Sequence, residues 1–224
     1  MNVEGSGKSG WKLWRRRQVP VPTWRGWVLL LAACIGLAVF VLLEIHPFLA
    51  VNAPLTGGAM VVEGWASDHS LELAVAEFHK NHYDRMYVTG GPIEEGAPLS
   101  EYKSYAQRGG AVLTKLGMGT NEVQVVPAPW VRQDRTYTAA LSLANWLRKD
   151  GVQPVTVHLI TEATHARRSR LLYQKALGKD VKVGVTAVPP GDYDPRRWWR
   201  SSQGVRSVIG ETLAYGYARL FFWP

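Results

Sequence analysis

Residues 27–43 carry no charged or strongly polar side chain, and Lys8, Lys12, Arg15, Arg16, Arg17 and Arg25 all precede that run. At about 1.5 Å of rise per residue, a helix over this stretch, Gly26 and the apolar flank at 45–51 reaches roughly the 30 Å hydrocarbon thickness of a bilayer. The pattern predicts one transmembrane span, over residues 27–46, and no second span is visible. Basic residues crowd the near side of the run, while Glu44 and His46 are the titratable groups soon after it. The leader, residues 1–26, is therefore expected in the cytoplasm, and a domain over 54–224 outside an inner or plasma membrane. A cleaved signal peptide is the rival reading, because Val51 and Ala53 have the small-residue spacing of a cleavage site. Pro54 would directly follow that cut and the leader is long for a signal sequence, so an uncleaved anchor is preferred.

The formal charge of +8 mostly reflects topology. Residues 1–26 hold six Lys or Arg against Glu4 alone, leaving 20 basic and 17 acidic residues elsewhere. That balance argues against nucleic acid as a partner and leaves the leader an attraction to anionic lipid. Cys34, the sole cysteine, lies inside the predicted span, so the outer domain has no disulfide, cysteine metal site or thiol nucleophile.

Beyond the span, apolar runs alternate with helical periodicities. Strands are predicted at 59–62, 86–88, 122–126, 155–160 and 181–185. Between them Leu71, Ala74, Val75 and Phe78 repeat at helical spacing, followed by a longer set of Tyr102, Tyr105, Ala106, Gly109, Leu113 and Leu116. Tyr137, Ala140, Leu141, Ala144 and Leu147 mark a third face, and 164–177 a fourth helix closed by Gly178. Strand–helix alternation of this kind builds a Rossmann-like α/β fold with a doubly wound, mostly parallel five-stranded sheet. A last helical stripe at Val205, Val208, Ile209, Leu213, Gly216 and Leu220 is expected to pack on the sheet, with Phe221, Phe222 and Trp223 alternatively dipping into lipid headgroups.

In an open parallel sheet, ligands bind outside the carboxyl ends of the strands, where helix N-termini present free N–H groups. Polar residues gather there: Glu63–Gly64–Trp65, Ser67, Asp68 and His69; Thr89, Gly90 and Gly91; Ser100 and Glu101; Asp134, Arg135 and Thr136; Thr161, Glu162, Thr164, His165, Arg167 and Arg168. Taken singly, each has a structural explanation. Asp68 and Ser100 suit helix caps, Gly90–Gly91 a sharp turn, and Glu162, Arg167 and Arg170 a solvated face. His165 and Arg168 lie one helical turn apart, which suits a phosphate or carboxylate and leaves His165 able to move a proton. His79 and His82 have metal-pair spacing but fall near the far end of their helix, so no metal is expected. The usual nucleotide, hydrolase and zinc-protease motifs do not occur.

The series Val61–Val62, Thr89–Gly90–Gly91, Ser100–Glu101, Asp134–Arg135–Thr136, Thr161-x-x-x-His165-x-x-Arg168 and a late Glu211 resembles the YdcF-like family of SanA/ElyC-type envelope proteins, over about residues 59–220. Thr89 stands for a family serine and Arg135 for an asparagine, whereas Glu63–Gly64–Trp65 replaces a glycine-rich strand end. The resemblance implies a membrane-anchored protein of envelope, cell-wall or surface-polysaccharide biogenesis that binds or processes an anionic, phosphorylated or lipid-linked ligand. On that basis His165 and Glu101 are the expected catalytic pair. Thr89, Gly90, Gly91, Ser100, Arg135, Thr136, Thr161 and Arg168 are the expected ligand contacts. Some relatives are associated with S-adenosylmethionine, but no residue of this chain indicates it and the cofactor stays unassigned. The alternative function is a non-catalytic envelope scaffold that contacts protein partners through Trp130, Trp198, Trp199 and Phe221–Trp223.

Overall fold

The computed structural model describes residues 20–94 and 100–224. Lys8, Lys12, Arg15, Arg16 and Arg17 of the leader lie outside the described residues. Helix α1, Trp24–Leu49, is long and apolar enough to cross a membrane, and is longer at both ends than the span read from the sequence. The chain divides into two compact units, residues 1–41 and 42–224, so the last two turns of α1 belong with the α/β domain.

Five parallel strands form the sheet: β1 Ala59–Glu63, β2 Arg85–Gly90, β3 Val123–Pro127, β4 Thr156–Glu162 and β5 Lys182–Val188, in the order β3-β2-β1-β4-β5. The intervening helices are α2 Asp68–Asn81, α3 Tyr105–Lys115, α4 Arg135–Lys149 and α5 Ala166–Leu177, with α6 Ser202–Leu220 closing the chain. The sheet is covered by two apolar layers. One joins Val61, Tyr87 and Leu159 to Leu143 and Tyr173; the other joins Met60, Val62 and Met86 to Leu71, Phe78 and Leu113. Burial on both faces explains why the strands read as continuous apolar runs. Pro127 ends β3, an edge strand where a missing N–H leaves no ladder bond unmade. At the other edge, Ala53 pairs with Val185 and Asn52 accepts from the N–H of Ala187, covering the exposed groups of β5.

Several helices differ from expectation. Helix α3 begins at Tyr105 with Ser104 as its cap, so Ser100, Glu101 and Tyr102 precede it instead of opening it. Ser67, not Asp68, caps α2. On α4 the buried face is Ala139, Ala140, Leu143, Ala144 and Leu147, with Leu141 turned outward, because the face is set by α5 and the strands it meets. Helix α6 packs against α5 and two short 3-10 turns, Ala163–His165 and Pro195–Arg200, and not on the sheet. Its Ile209, Leu213 and Leu220 stay exposed.

Candidate active site

Strands β1 and β4 end side by side, each delivering a polar group into an apolar sandwich. Glu63, the last residue of β1, is fully buried, and Thr161 donates to its Oε2 at 2.5 Å. Ser169 Oγ stands 3.4 Å from both carboxylate oxygens. A buried carboxylate requires such partners, since several kcal/mol of lost hydration must be recovered. Beyond Glu162, β4 turns sharply through Ala163, whose φ of +34° lies in the left-handed region that an alanine occupies at a cost of about 1–2 kcal/mol. This turn starts α5 and sets His165 beside Glu63, with Nε2 3.7 Å from Oε2. Glu211, from the middle of α6, meets the other ring nitrogen: Oε1 lies 2.9 Å from Nδ1.

Arg168 closes the cluster. Its Nε and Nη2 donate to the two oxygens of Glu211 at 2.8 and 2.9 Å, and Nη1 reaches Thr136 Oγ1 at 3.4 Å. Nη2 also lies 2.9 Å from His165 Nδ1. The nitrogen cannot both donate to Glu211 and accept from the guanidinium, and the charges decide between them. Burial alone would lower the His165 pKa, but Glu63 and Glu211 outweigh it and raise it from 6.5 to about 9. His165 is therefore an imidazolium at neutral pH, and its Nδ1–H and the guanidinium share one carboxylate. Burial likewise opposes ionisation of Glu211, yet Arg168 and His165 hold its pKa down at about 2. At Glu63 the same opposition of burial and His165 charge ends below the ordinary value. Nε2 of His165 is buried and has no hydrogen-bond partner among the described residues.

This cluster forms one wall of a cavity of about 550 Å³ at the carboxyl ends of the strands. Trp65 borders it and packs edge to face on His165, ring centroids 5.0 Å apart. Tyr105, Trp130, Tyr217 and Phe222 add aromatic surface. Gly90 and Gly91 line it for different reasons. A Cβ on Gly90 would come within 2.8 Å of the Ala106 backbone, so this glycine lets α3 approach the strand ends; Gly91 has open space beside it. Helix α4 begins at the cavity without a side-chain cap, whereas Ser67, Ser104 and Ser201 cap α2, α3 and α6. Its first-turn N–H groups and positive dipole end suit an anion.

The structure brings His165, Arg168, Thr136, Arg135, Thr89, Gly90 and Gly91 together at this cavity. Arg135 is also paired with Glu94 at 3.0 Å. Thr89 is spent on Tyr173, at 2.7 Å, and Thr161 on Glu63. Ser100 and Glu101 are not in the lining: Ser100 accepts from the N–H of Tyr102, and Glu101 is exposed. The carboxylates beside His165 are Glu63 and Glu211, placed from the sequence at the rim and in the family series without either being assigned a role. Their signals were a carboxylate at the end of a wholly apolar strand and an acidic residue in an otherwise apolar helical segment. Neither a protein-family model nor a curated protein matches the chain.

Proposed function

We propose that this chain is a membrane-anchored, YdcF-like envelope protein whose cavity binds and processes an anionic ligand, phosphorylated or lipid-linked, with His165 as proton donor. The unpartnered, buried Nε2 of His165 carries this reading. Glu211 fixes Nδ1 and keeps the ring protonated, leaving one N–H to give to a ligand oxygen. The uncapped start of α4 supplies the attraction for negative charge, since Arg168 is engaged with Glu211. A ligand oxygen at Nε2 would accept a hydrogen bond from that N–H, and Glu63, 3.7 Å from the same nitrogen, balances the positive charge. Burial of Leu49 in the domain and the pairing of Ala53 with β5 also support an uncleaved anchor.

The test is a native mass-spectrometry and thermal-shift screen of the detergent-solubilised full chain against sugar phosphates, nucleotides and polyprenyl phosphates. Binding that disappears in His165→Gln while the fold persists supports the proposal. A folded His165→Gln protein that binds and turns over the same ligand unchanged rules it out.

The scaffold reading draws on exposed Leu213 and Leu220 of α6, on Trp223 beyond its end, and on exposed Trp130. Trp198 is buried and Phe222 lines the cavity, so those two do not serve it. Recovery of a stoichiometric envelope partner through the α6 face, with no small-molecule turnover, would favour that alternative.

A further inference from the structure

The last two turns of α1 are fastened to the domain at a definite level. Trp198 donates its indole N–H to the carbonyl of Leu42 at 3.0 Å, and its ring is buried with Leu49 and Val208. Further along, Phe48 meets Tyr215 edge to face with centroids 5.7 Å apart. Trp198 lies just before α6 and Tyr215 in its later half. Leu42 belongs to the final turn of the apolar run, before Glu44. With α1 in a bilayer, the Pro195–Arg200 turn, held against the Leu42 carbonyl, stands where hydrocarbon gives way to headgroups.

At the level of Leu42 the turn exposes Arg196, Arg197 and Arg200 together with Trp199. Asp192 and Asp194 are the acidic residues of the same segment, and Asp194 is occupied in capping the turn through the N–H of Arg196. Arginines beside an interfacial tryptophan match the chemistry of phosphate headgroups over the edge of an acyl region.

We propose that Arg196, Arg197, Arg200 and Trp199 form a collar that rests on the anionic phospholipid headgroups of the leaflet from which α1 emerges. This rests on the reading of α1 as a membrane anchor.

The test uses the full chain with Cys34→Ser in nanodiscs of phosphatidylcholine, with or without phosphatidylglycerol, and lipids bearing a headgroup quencher. A fluorophore on Trp199→Cys is expected to be quenched several-fold relative to nanodiscs without the quencher. That quenching should fall in neutral lipid, and also when Arg196, Arg197 and Arg200 are changed to Gln. Quenching at 199 that ignores both the arginines and lipid charge overturns the collar. Release of the unmodified chain from bilayers by alkaline carbonate overturns the anchor and the collar together. Stable insertion with no quenching at 199 overturns the collar alone.

Discussion

Arg168 grips Glu211 through two nitrogens, Nε to Oε2 at 2.8 Å and Nη2 to Oε1 at 2.9 Å, and the second oxygen also receives His165 Nδ1 at 2.9 Å. One carboxylate on α6 thus holds two cations, His165 just before α5 and Arg168 in its first turn. This joint both closes the cavity wall and ties the last helix to the domain, since α6 has no direct seat on the sheet.

Glu211→Gln removes the charge both cations depend on. Stability is expected to fall by about 3 kcal/mol, as for a partly buried ion pair losing one member. The His165 pKa should move down from about 9 as a hydrogen-bonded carboxylate is lost. Denaturant unfolding and an NMR titration of His165 in the detergent-solubilised chain check the two effects; an unchanged titration would show that Glu211 does not hold the proton.

The pKa shifts also set a pH window. His165 is raised from 6.5 to about 9, so its contribution to stability is full below about pH 6.5 and is lost as pH rises through about 9. Glu211 is depressed from 4.5 to about 2, so its contribution is present above about pH 4.5 and is lost as pH falls through about 2. Melting temperature is expected to be highest between about pH 4.5 and 6.5 so far as this cluster governs it, with the alkaline decline flattened in His165→Gln. A wild-type profile that superimposes on the variant's above pH 7 would contradict this.

Gly64 sits where any Cβ would lie 2.2 Å from the Tyr105 carbonyl oxygen, a backbone atom at the start of α3. Gly64→Ala must push α3 outward from β1 and is expected to cost on the order of 2–3 kcal/mol. Because Trp65 and Tyr105 both line the cavity, ligand binding should weaken along with stability. Chemical denaturation and a binding titration would separate a purely local effect, which leaves affinity untouched, from the expected coupled loss.

Glu101→Ala offers a contrasting case. Its carboxylate is exposed and outside the cavity lining, so stability should stay within about 0.5 kcal/mol of wild type and ligand binding should be unchanged. His165→Gln in the same assay is expected to lose binding. Loss of binding in Glu101→Ala with an intact fold would return that residue to the site.

Strands β1, β2 and β4 were legible because each is buried on both faces and reads as an apolar run, and the parallel sheet follows from the alternation of strands with helices. The face of α4 was only partly legible. Ala140, Ala144 and Leu147 were read correctly, but the choice of Leu141 over Leu143 depends on the direction of α5, which periodicity does not encode. The start of α3 was misplaced because Ser100 and Ser104 are both acceptable caps in sequence, and only the contact of Gly64 and Gly90 with Tyr105 and Ala106 selects Ser104.

The site divides in the same way. His165 and Arg168 were found because one helical turn of spacing puts them on the same face. Glu63 and Glu211 lie 148 positions apart in the chain, and nothing local links either to His165. By itself the sequence determined the apolar helix, the alternating α/β pattern and the rim at the strand ends, since these follow from periodicity and composition. Tertiary structure alone decided which carboxylates charge the histidine, because burial, the strained corner at Ala163 and the path of α6 set distances that sequence separation leaves free.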